Sequence, residues 1–200
     1  MMYEKYLRQS LVPDRYKQDI KLYPEAGDEQ AFARLNEIKC NIGGFVKGGK
    51  DLLICSPYVG NGKTTWASKL IKAYLETIDT MYYEYPPALF INVTRFLNEK
   101  RLAISDPVLQ NTIIGVERNI LRAQLVVFDD LGVKDISAYD ANNLYYWIDS
   151  RTSHNQSCIY TSNLMVEQLR EILDPRLYDR IVNYSEEIRI MGGSNRTYYD

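Results

Sequence analysis

The chain has 200 residues, of which 46% are hydrophobic and 25% are charged, a composition that fits one ordinary soluble domain. Its formal net charge of −2 excludes a uniformly basic nucleic-acid-binding protein but still allows a local basic patch. Three widely spaced cysteines and the lack of any apolar run near the ~20 residues that cross a bilayer predict no disulfide framework, no membrane partner and a cytoplasmic location.

The first part of the chain is polar, rich in tyrosine and interrupted by two prolines and a glycine. We expect residues 1–27 to form an irregular leader over a domain of residues 28–200. The next stretch, 28–45, has apolar residues at steps of three and four, which predicts an amphipathic helix with Asp28 as its cap. The apolar positions are Phe32, Leu35, Ile38, Ile42 and Phe45.

Strands and helices then alternate to the end of the chain. The predicted strands are 51–55, 88–93, 125–128, 158–161 and 187–191. Predicted helices follow residue 63 and cover about 95–101, 107–122, 138–150, 165–173 and 175–183. Central strands that are continuous apolar runs are typical of a parallel sheet buried on both faces. We therefore predict an α/β fold with a parallel five-stranded sheet sandwiched between helices, and a ligand at the carboxyl ends of the strands.

The segment between the first strand and its helix reads Ser-Pro-Tyr-Val-Gly-Asn-Gly-Lys-Thr-Thr over residues 56–65. Its glycines let backbone N–H groups approach phosphate oxygens, and the helix start adds unpaired N–H groups. Lys63 is expected to reach the β- and γ-phosphates, and the Thr64 hydroxyl to bind Mg²⁺. Pro57 stands where such loops usually have glycine, so the sequence does not determine the exact path of the loop backbone. The predicted ATP-binding residues are Tyr58, Val59, Gly60, Asn61, Gly62, Lys63, Thr64 and Thr65.

A second polar feature follows the third predicted strand, which ends in Asp129-Asp130. Two adjacent carboxylates after an apolar run are unfavourable when buried without a partner. A magnesium ion and a polarised water explain them. We assign Asp129 to the metal, together with Thr64, and Asp130 to orienting or deprotonating the attacking water.

Three motifs together resemble a known family. They are Gly-Asn-Gly-Lys-Thr (60–64), Phe-Asp-Asp-Leu-Gly (128–132) and Tyr-Thr-Ser-Asn-Leu (160–164), in this order and spacing. The chain resembles the AAA+ ATPases of the DnaC/DnaI/IstB group, which are bacterial and phage replicative helicase loaders and their transposition relatives. The similarity covers nearly the whole chain. It implies a P-loop NTPase fold of the AAA+ type with a reduced or absent lid, the cofactors ATP and Mg²⁺, and an ATPase that is weak unless oligomeric or DNA-stimulated.

The resemblance also implies roles for later residues. Asn163 matches the family's γ-phosphate sensor, although an asparagine capping the next helix is the alternative. Arg180, with Arg176 as second choice, matches the arginine finger that acts on the nucleotide of a neighbouring subunit, which implies self-association through a nucleotide-bridged interface. The alternative is a pair of surface arginines bonded to nearby acids. Arg196 in the tail is a further candidate for a phosphate contact.

Partners follow from the same resemblance. In helicase loaders the region after the second strand touches single-stranded DNA, which here suggests Arg95, Lys100 and Arg101, unless these form a solvated helix face. A replicative DNA helicase is the expected protein partner. The module begins near residue 5, so we expect no separate N-terminal helicase-binding domain.

Other functions remain open from the sequence. An IstB-like ATPase of transposition and a phage protein that binds and modulates a host helicase or loader share the same motifs. A small-molecule P-loop kinase also fits the length and the loop. We see no arginine cluster resembling the lid of such kinases, which favours the ATPase.

Overall fold

The computed structural model describes residues 2–132 and 137–193. Its five strands form one sheet in the order β2-β3-β4-β1-β5, and all four pairings are parallel. This arrangement confirms the predicted α/β fold. The strands are β1 (Asp51–Cys55), β2 (Ala88–Asn92), β3 (Leu125–Leu131), β4 (Ser157–Ser162) and β5 (Ser185–Arg189).

Helices cover both faces of the sheet. Side chains of β1 alternate between the two faces, with Leu52 and Ile54 in one apolar cluster and Leu53 and Cys55 in the other. Among the described residues, no helix is both long and apolar enough to cross a bilayer. The helices are α1 (Tyr3–Gln9), α2 (Asp14–Lys17), α3 (Glu29–Cys40), α4 (Ile42–Lys47), α5 (Lys63–Thr77), α6 (Val93–Leu102), α7 (Pro107–Arg122), α8 (Ala138–Ser153), α9 (Val166–Ile172) and α10 (Pro175–Tyr178).

The leader differs from the irregular segment that the sequence predicted, because it contains α1 and α2. Tyr6 in α1 is fully buried, and its hydroxyl donates to the Met81 carbonyl at 2.9 Å while accepting the Tyr83 N–H at 2.7 Å. Farther on, the Ser10 carbonyl accepts the N–H of Phe90 at 2.7 Å, on the edge strand β2. The leader is therefore packed into the core and covers part of the edge of β2, which would otherwise be exposed.

The helix predicted over 28–45 is divided at Asn41 into α3 and α4. Asp28 lies at the start of α3, but its carboxylate caps no helical N–H. It accepts the N–H groups of Met191 and Gly192 instead, at 2.7 and 2.8 Å. The predicted cap is wrong because this carboxylate is buried beside the chain that leaves β5, where two N–H donors lack a sheet partner.

Two later boundaries also shift. The last strand lies at Ser185–Arg189, two residues before the predicted 187–191. The helix predicted over 175–183 is the short α10 followed by a π-helical turn over Asp179–Asn183. Helix ends and short strands are the features that local patterns place least well.

Candidate functional site at the carboxyl edge of the sheet

A cavity of about 1160 Å³ opens at the carboxyl ends of the strands, which is enough room for a nucleoside triphosphate. The loop before α5 forms one wall and residues 13–25 of the leader form another. Tyr58 is the one predicted ATP-binding residue that stands outside the described wall, with half of its surface exposed. The predicted residues that line the cavity are Val59, Gly60, Asn61, Gly62, Lys63, Thr64, Thr65, Asp129, Asp130 and Asn163.

The loop between β1 and α5 has the geometry of a phosphate cradle. Gly60 and Gly62 have φ angles of +88° and +100°, the left-handed region that glycine enters without strain. A Cβ atom on Gly62 would also lie 3.1 Å from the Leu22 methyl carbons. Helix α5 begins at Lys63, directly after this loop, and the N-terminus of a helix carries the positive end of its dipole, which favours anions.

Lys63 is held inside this loop and is only 5% exposed. Its Nζ donates to the Tyr58 carbonyl at 2.7 Å and to Asn61 Oδ1 at 3.1 Å. Phosphate oxygens are stronger acceptors for an ammonium group than these two neutral oxygens. The lysine is therefore placed to exchange these bonds for bonds to an anionic ligand.

The side chain of Asn61 serves the loop itself. Its Nδ2 donates to Ser56 Oγ by a short contact and to the Ile190 carbonyl at 3.2 Å. The residue is almost fully buried between the loop and the chain that follows β5.

Thr64 and Asp129 form the candidate magnesium site. The Thr64 hydroxyl donates to Asp129 Oδ1 at 2.9 Å. Burial raises the pKa of Asp129, and hydrogen bonds from Thr161, Thr64 and Asn92 oppose the rise. Hydroxyl and carboxylate oxygens suit Mg²⁺, which commonly binds one or two protein oxygens and completes its shell with water and substrate phosphates. Groups of three or more His, Cys, Asp or Glu side chains that could hold a metal are absent from the described residues.

Asp130 and Asn163 lie together at the ends of β3 and β4. Asn163 Nδ2 donates to Asp130 Oδ1 at 2.8 Å. Asp130 has a φ of +64°, which is uncommon for a residue with a side chain. An acid and an amide in contact beside a phosphate cradle can together hold a water molecule and accept its proton.

Sequence reasoning missed two neighbours of Asp129. Asn92, the last residue of β2, donates from Nδ2 to Asp129 Oδ2 at 3.4 Å and accepts the Arg95 N–H at 3.0 Å. Thr161 in β4 donates to Asp129 Oδ1 at 2.7 Å. The rule that ligands lie at carboxyl ends could have identified Asn92, because it is the polar residue that ends an apolar strand.

Lysine side chains of helix α5 bond to the leader beside the cavity, a contact that no sequence pattern indicated. Lys72 Nζ donates to the carbonyls of Gln18 and Lys17, at 2.8 and 3.3 Å. Lys69 Nζ lies 3.4 Å from Asp19 Oδ1. The helix that begins at the phosphate loop thus also holds the second wall of the cavity.

The two arginine-finger candidates lie away from this cavity. Arg180 Nε donates to Asp149 Oδ1 at 2.8 Å, and its Nη1 donates to the Tyr184 hydroxyl at 3.0 Å. Arg176 bonds to Asp174 and lies 4.8 Å from the centroid of the Tyr145 ring. These positions fit either an arginine that acts on another subunit or a pair of surface ion pairs. Arg196 lies outside the described residues.

The three residues suggested for DNA contact differ in their surroundings. Lys100 is 14% exposed and bonds to Glu117, and Arg101 bonds to the buried carboxylate of Asp140. Arg95 is 77% exposed and pairs with Glu99. The first two stabilise contacts between α6 and its neighbours, so Arg95 is the member of the trio most available to an external phosphate.

The family model of the IstB-like ATP-binding proteins matches residues 44–199. No curated protein sequence matches the chain. Among solved structures, the DnaC helicase loader is similar with a TM-score of 0.68 and 20% identity, over 94% of this chain and 99% of that one. DnaI is similar with a TM-score of 0.64 and 19% identity, over 94% and 93%. The replication initiator DnaA bound to AMPPCP and single-stranded DNA has a TM-score of 0.66 and 14% identity, over 90% and 51%. These likenesses show a P-loop fold of the AAA+ type.

Proposed function

The chain belongs to the family of IstB-like ATP-binding proteins, and from this premise we propose that it binds ATP with Mg²⁺ and hydrolyses it to ADP and phosphate. One observation carries the proposal. The pairs Thr64–Asp129 and Asn163–Asp130, at 2.9 and 2.8 Å, lie at one edge of the sheet and line the same cavity as Lys63.

Each side chain has a distinct task in this reaction. Lys63 leaves its loop acceptors and binds the β- and γ-phosphates. Thr64 and Asp129 would hold Mg²⁺, which would neutralise phosphate charge. Asp130 accepts a proton from the attacking water, which Asn163 helps to orient as the bond between the γ-phosphorus and the bridging oxygen breaks.

We further propose that the protein acts in DNA replication as a helicase-loader-like ATPase in the cytoplasm of a bacterial cell, encoded by the bacterium or by a phage. The likeness to the DnaC helicase loader and to DnaI, over at least 93% of both chains in each pair, supports this role. The expected partners are a replicative DNA helicase and single-stranded DNA, with Arg95 as the first residue to examine. Residues 1–27 serve as the leader of an ATPase module that covers 28–200.

Self-association completes the proposed catalytic site. Arg180 bonds to Asp149 within one chain, and we propose that it leaves this pair to contact the nucleotide of a neighbouring chain. Hydrolysis per chain should then rise with protein concentration and with single-stranded DNA, because a monomer lacks the neighbour's guanidinium.

Phosphate release tests this function directly. Wild-type protein is assayed over a hundredfold range of concentration, with and without single-stranded DNA, and Asp130→Asn is the matched control. The proposal predicts free phosphate that depends on DNA and on concentration, and little from Asp130→Asn. A phosphorylated small molecule as product, with no free phosphate, would point to a kinase and contradict the proposal. Co-elution with a replicative helicase in size-exclusion chromatography tests the partner.

An IstB-like role in transposition is the second candidate, and the family match itself favours it. This role predicts preferential binding to duplex DNA and to a transposase. If the chain instead binds and modulates a host helicase or loader, we expect helicase binding together with a loss of helicase loading. A loading assay on single-stranded DNA distinguishes the loader, where loading rises with ATP, from this modulator.

A further inference from the structure

The pairing of β3 with β4 contains an irregularity at the two acids. Phe128 pairs with Tyr160, whereas Leu131 pairs with Ser162, so two residues of β3 lie opposite the single residue Thr161. This is a β-bulge, which inserts one extra residue and redirects a side chain. In a regular strand, successive side chains point to opposite faces. The bulge explains how the adjacent residues Asp129 and Asp130 both line the cavity.

One hydroxyl group joins the two residues of the bulge. Thr161 Oγ1 accepts the backbone N–H of Asp130 at 2.9 Å, and it donates its own hydrogen to Asp129 Oδ1 at 2.7 Å. Thr161 is 1% exposed, so water does not compete for these bonds. Because a hydroxyl has a single hydrogen, its donation to Asp129 is compatible with its acceptance from Asp130.

The backbone of Asp130 has an uncommon conformation at this contact. Its φ of +64° is disfavoured for an L-residue with a side chain and persists only when the surroundings hold it. The same conformation lets the Asp130 carboxylate accept the hydrogen bond from Asn163. The hydroxyl of Thr161 thus fixes the N–H of the residue whose carboxylate faces the reaction.

We propose that Thr161 is a positioning residue for the hydrolysis of ATP, whose hydroxyl holds Asp130 toward the attacking water and Asp129 toward the magnesium ion. This inference rests on the proposed function. Thr161 is absent from the described residues that line the cavity, so it acts through the two acids and not on the nucleotide. Serine keeps the hydroxyl, whereas valine keeps the shape and loses both hydrogen bonds.

Steady-state kinetics provide the first test, with Thr161→Val and Thr161→Ser compared at saturating DNA. We expect Thr161→Val to lower kcat about 100-fold, the loss typical of a small displacement of a catalytic group, with KM for Mg·ATP raised only about 10-fold through the weakened magnesium site. Thr161→Ser should keep kcat within about 3-fold of wild type. Equal kcat for wild type and Thr161→Val would overturn the inference, as would a serine variant as impaired as the valine variant. If Thr161→Val does not fold, Thr161→Ala replaces it in the same comparison.

A double-mutant cycle separates positioning from a merely structural role. If Thr161 lowers kcat through Asp130, then at saturating Mg²⁺ and ATP, where weaker metal binding no longer limits the rate, Thr161→Val in an Asp130→Asn background should lower the residual rate by less than about 3-fold. A reduction as large as that in the wild-type background would overturn this role, because it would show that the two effects are independent.

Nucleotide binding keeps the inference testable apart from the proposed function. If wild-type protein binds fluorescent ATP but releases no phosphate, the proposed hydrolysis is wrong. The effect of Thr161 on Asp129 can still be measured from the Mg²⁺ dependence of nucleotide affinity. Affinity for the labelled nucleotide is titrated in Mg²⁺ and in a chelator. We expect Thr161→Val to match wild type in the chelator and to lose at least about 10-fold of the affinity gained with Mg²⁺. An unchanged gain with Mg²⁺ in Thr161→Val would overturn the inference.

Discussion

The side-chain amide of Asn163 donates a 2.8 Å hydrogen bond to the carboxylate of Asp130. The two residues are 33 positions apart in sequence and meet because β3 and β4 are parallel neighbours whose carboxyl ends share one edge of the sheet. An amide in this contact can fix the carboxylate and also reach a water or a phosphate oxygen beside it. Substitutions in this pair should therefore change the rate of ATP hydrolysis more than the affinity for ATP.

Removal of the amide tests this separation. Asn163→Ala is expected to lower the rate of ATP hydrolysis about 10- to 100-fold, because Asp130 and the water lose a shared partner. ATP affinity should change less than about 3-fold, since Lys63 and the loop remain. Phosphate release and a fluorescent-nucleotide titration measure the two quantities. Asn142→Ala, an exposed asparagine on α8, is the control and should match wild type. A large loss of affinity in Asn163→Ala would contradict the assignment.

Removal of the carboxylate charge tests the magnesium site. Asp129→Asn keeps the shape and an oxygen that can accept the hydrogen of Thr64, but it removes the negative charge that attracts the cation. We expect at least a 10-fold higher Mg²⁺ concentration for half-maximal hydrolysis, while nucleotide affinity in a chelator stays near wild type. The same Mg²⁺ dependence in both proteins would exclude Asp129 as the metal ligand.

A mixing experiment tests the arginine finger. Arg180→Ala retains the phosphate loop, and Lys63→Ala retains Arg180, so each inactive protein carries what the other lacks. If Arg180 acts on a neighbouring nucleotide, an equimolar mixture should recover a measurable fraction of DNA-stimulated hydrolysis. Arg176→Ala is the matched control on the same segment and should remain active alone. A mixture with no more activity than its separate components would contradict an arginine contributed between chains.

The buried carboxyl of Asp51 should make the free energy of unfolding depend on pH. Burial raises the pKa of Asp51 from its ordinary 3.8 to about 7, although hydrogen bonding from the Cys158 N–H and the charge of Arg151 lower it. The folded protein then holds this proton more tightly than the unfolded chain between about pH 4 and pH 7. The free energy of unfolding should therefore fall as pH rises through this window, by on the order of 2–4 kcal/mol, and level off above it.

Urea unfolding at pH 5 and pH 8 measures this difference. Asp51→Asn keeps an oxygen acceptor for Cys158 and should remove most of the change between the two pH values. Asp14→Asn, an exposed aspartate whose pKa is lowered by the hydrogen bond from Lys17, should leave it unchanged. A wild-type free energy of unfolding that is equal at both pH values would show that Asp51 stays ionised.

The features that the sequence predicted depend on short-range patterns. The phosphate loop occupies ten consecutive residues, 56–65, and the apolar strands around it are each five to seven residues long. Parallel topology then brought Thr64, Asp129 and Asn163 together without further information. These steps need only the local period of the apolar residues and the rule for strand ends.

The missed features depend on contacts between distant segments. Arg151 in α8 is fully buried, and its guanidinium donates to the carbonyls of Ile120, Ala123 and Ser157. It therefore joins the end of α7 to the start of β4, which no local pattern indicates for an arginine. The bulge opposite Thr161 is hidden in the same way, because one extra residue in β3 becomes visible only in the register with β4.

Binding of Mg·ATP to the phosphate loop is the claim on which every other assignment depends, and a fluorescent-ATP titration of Lys63→Ala tests it most directly. Wild type and Lys47→Ala, an exposed lysine outside the site, should bind with equal affinity. Lys63→Ala should bind at least about 100-fold more weakly, because the ammonium group that meets the β- and γ-phosphates is gone. Equal affinity in all three proteins would contradict the account.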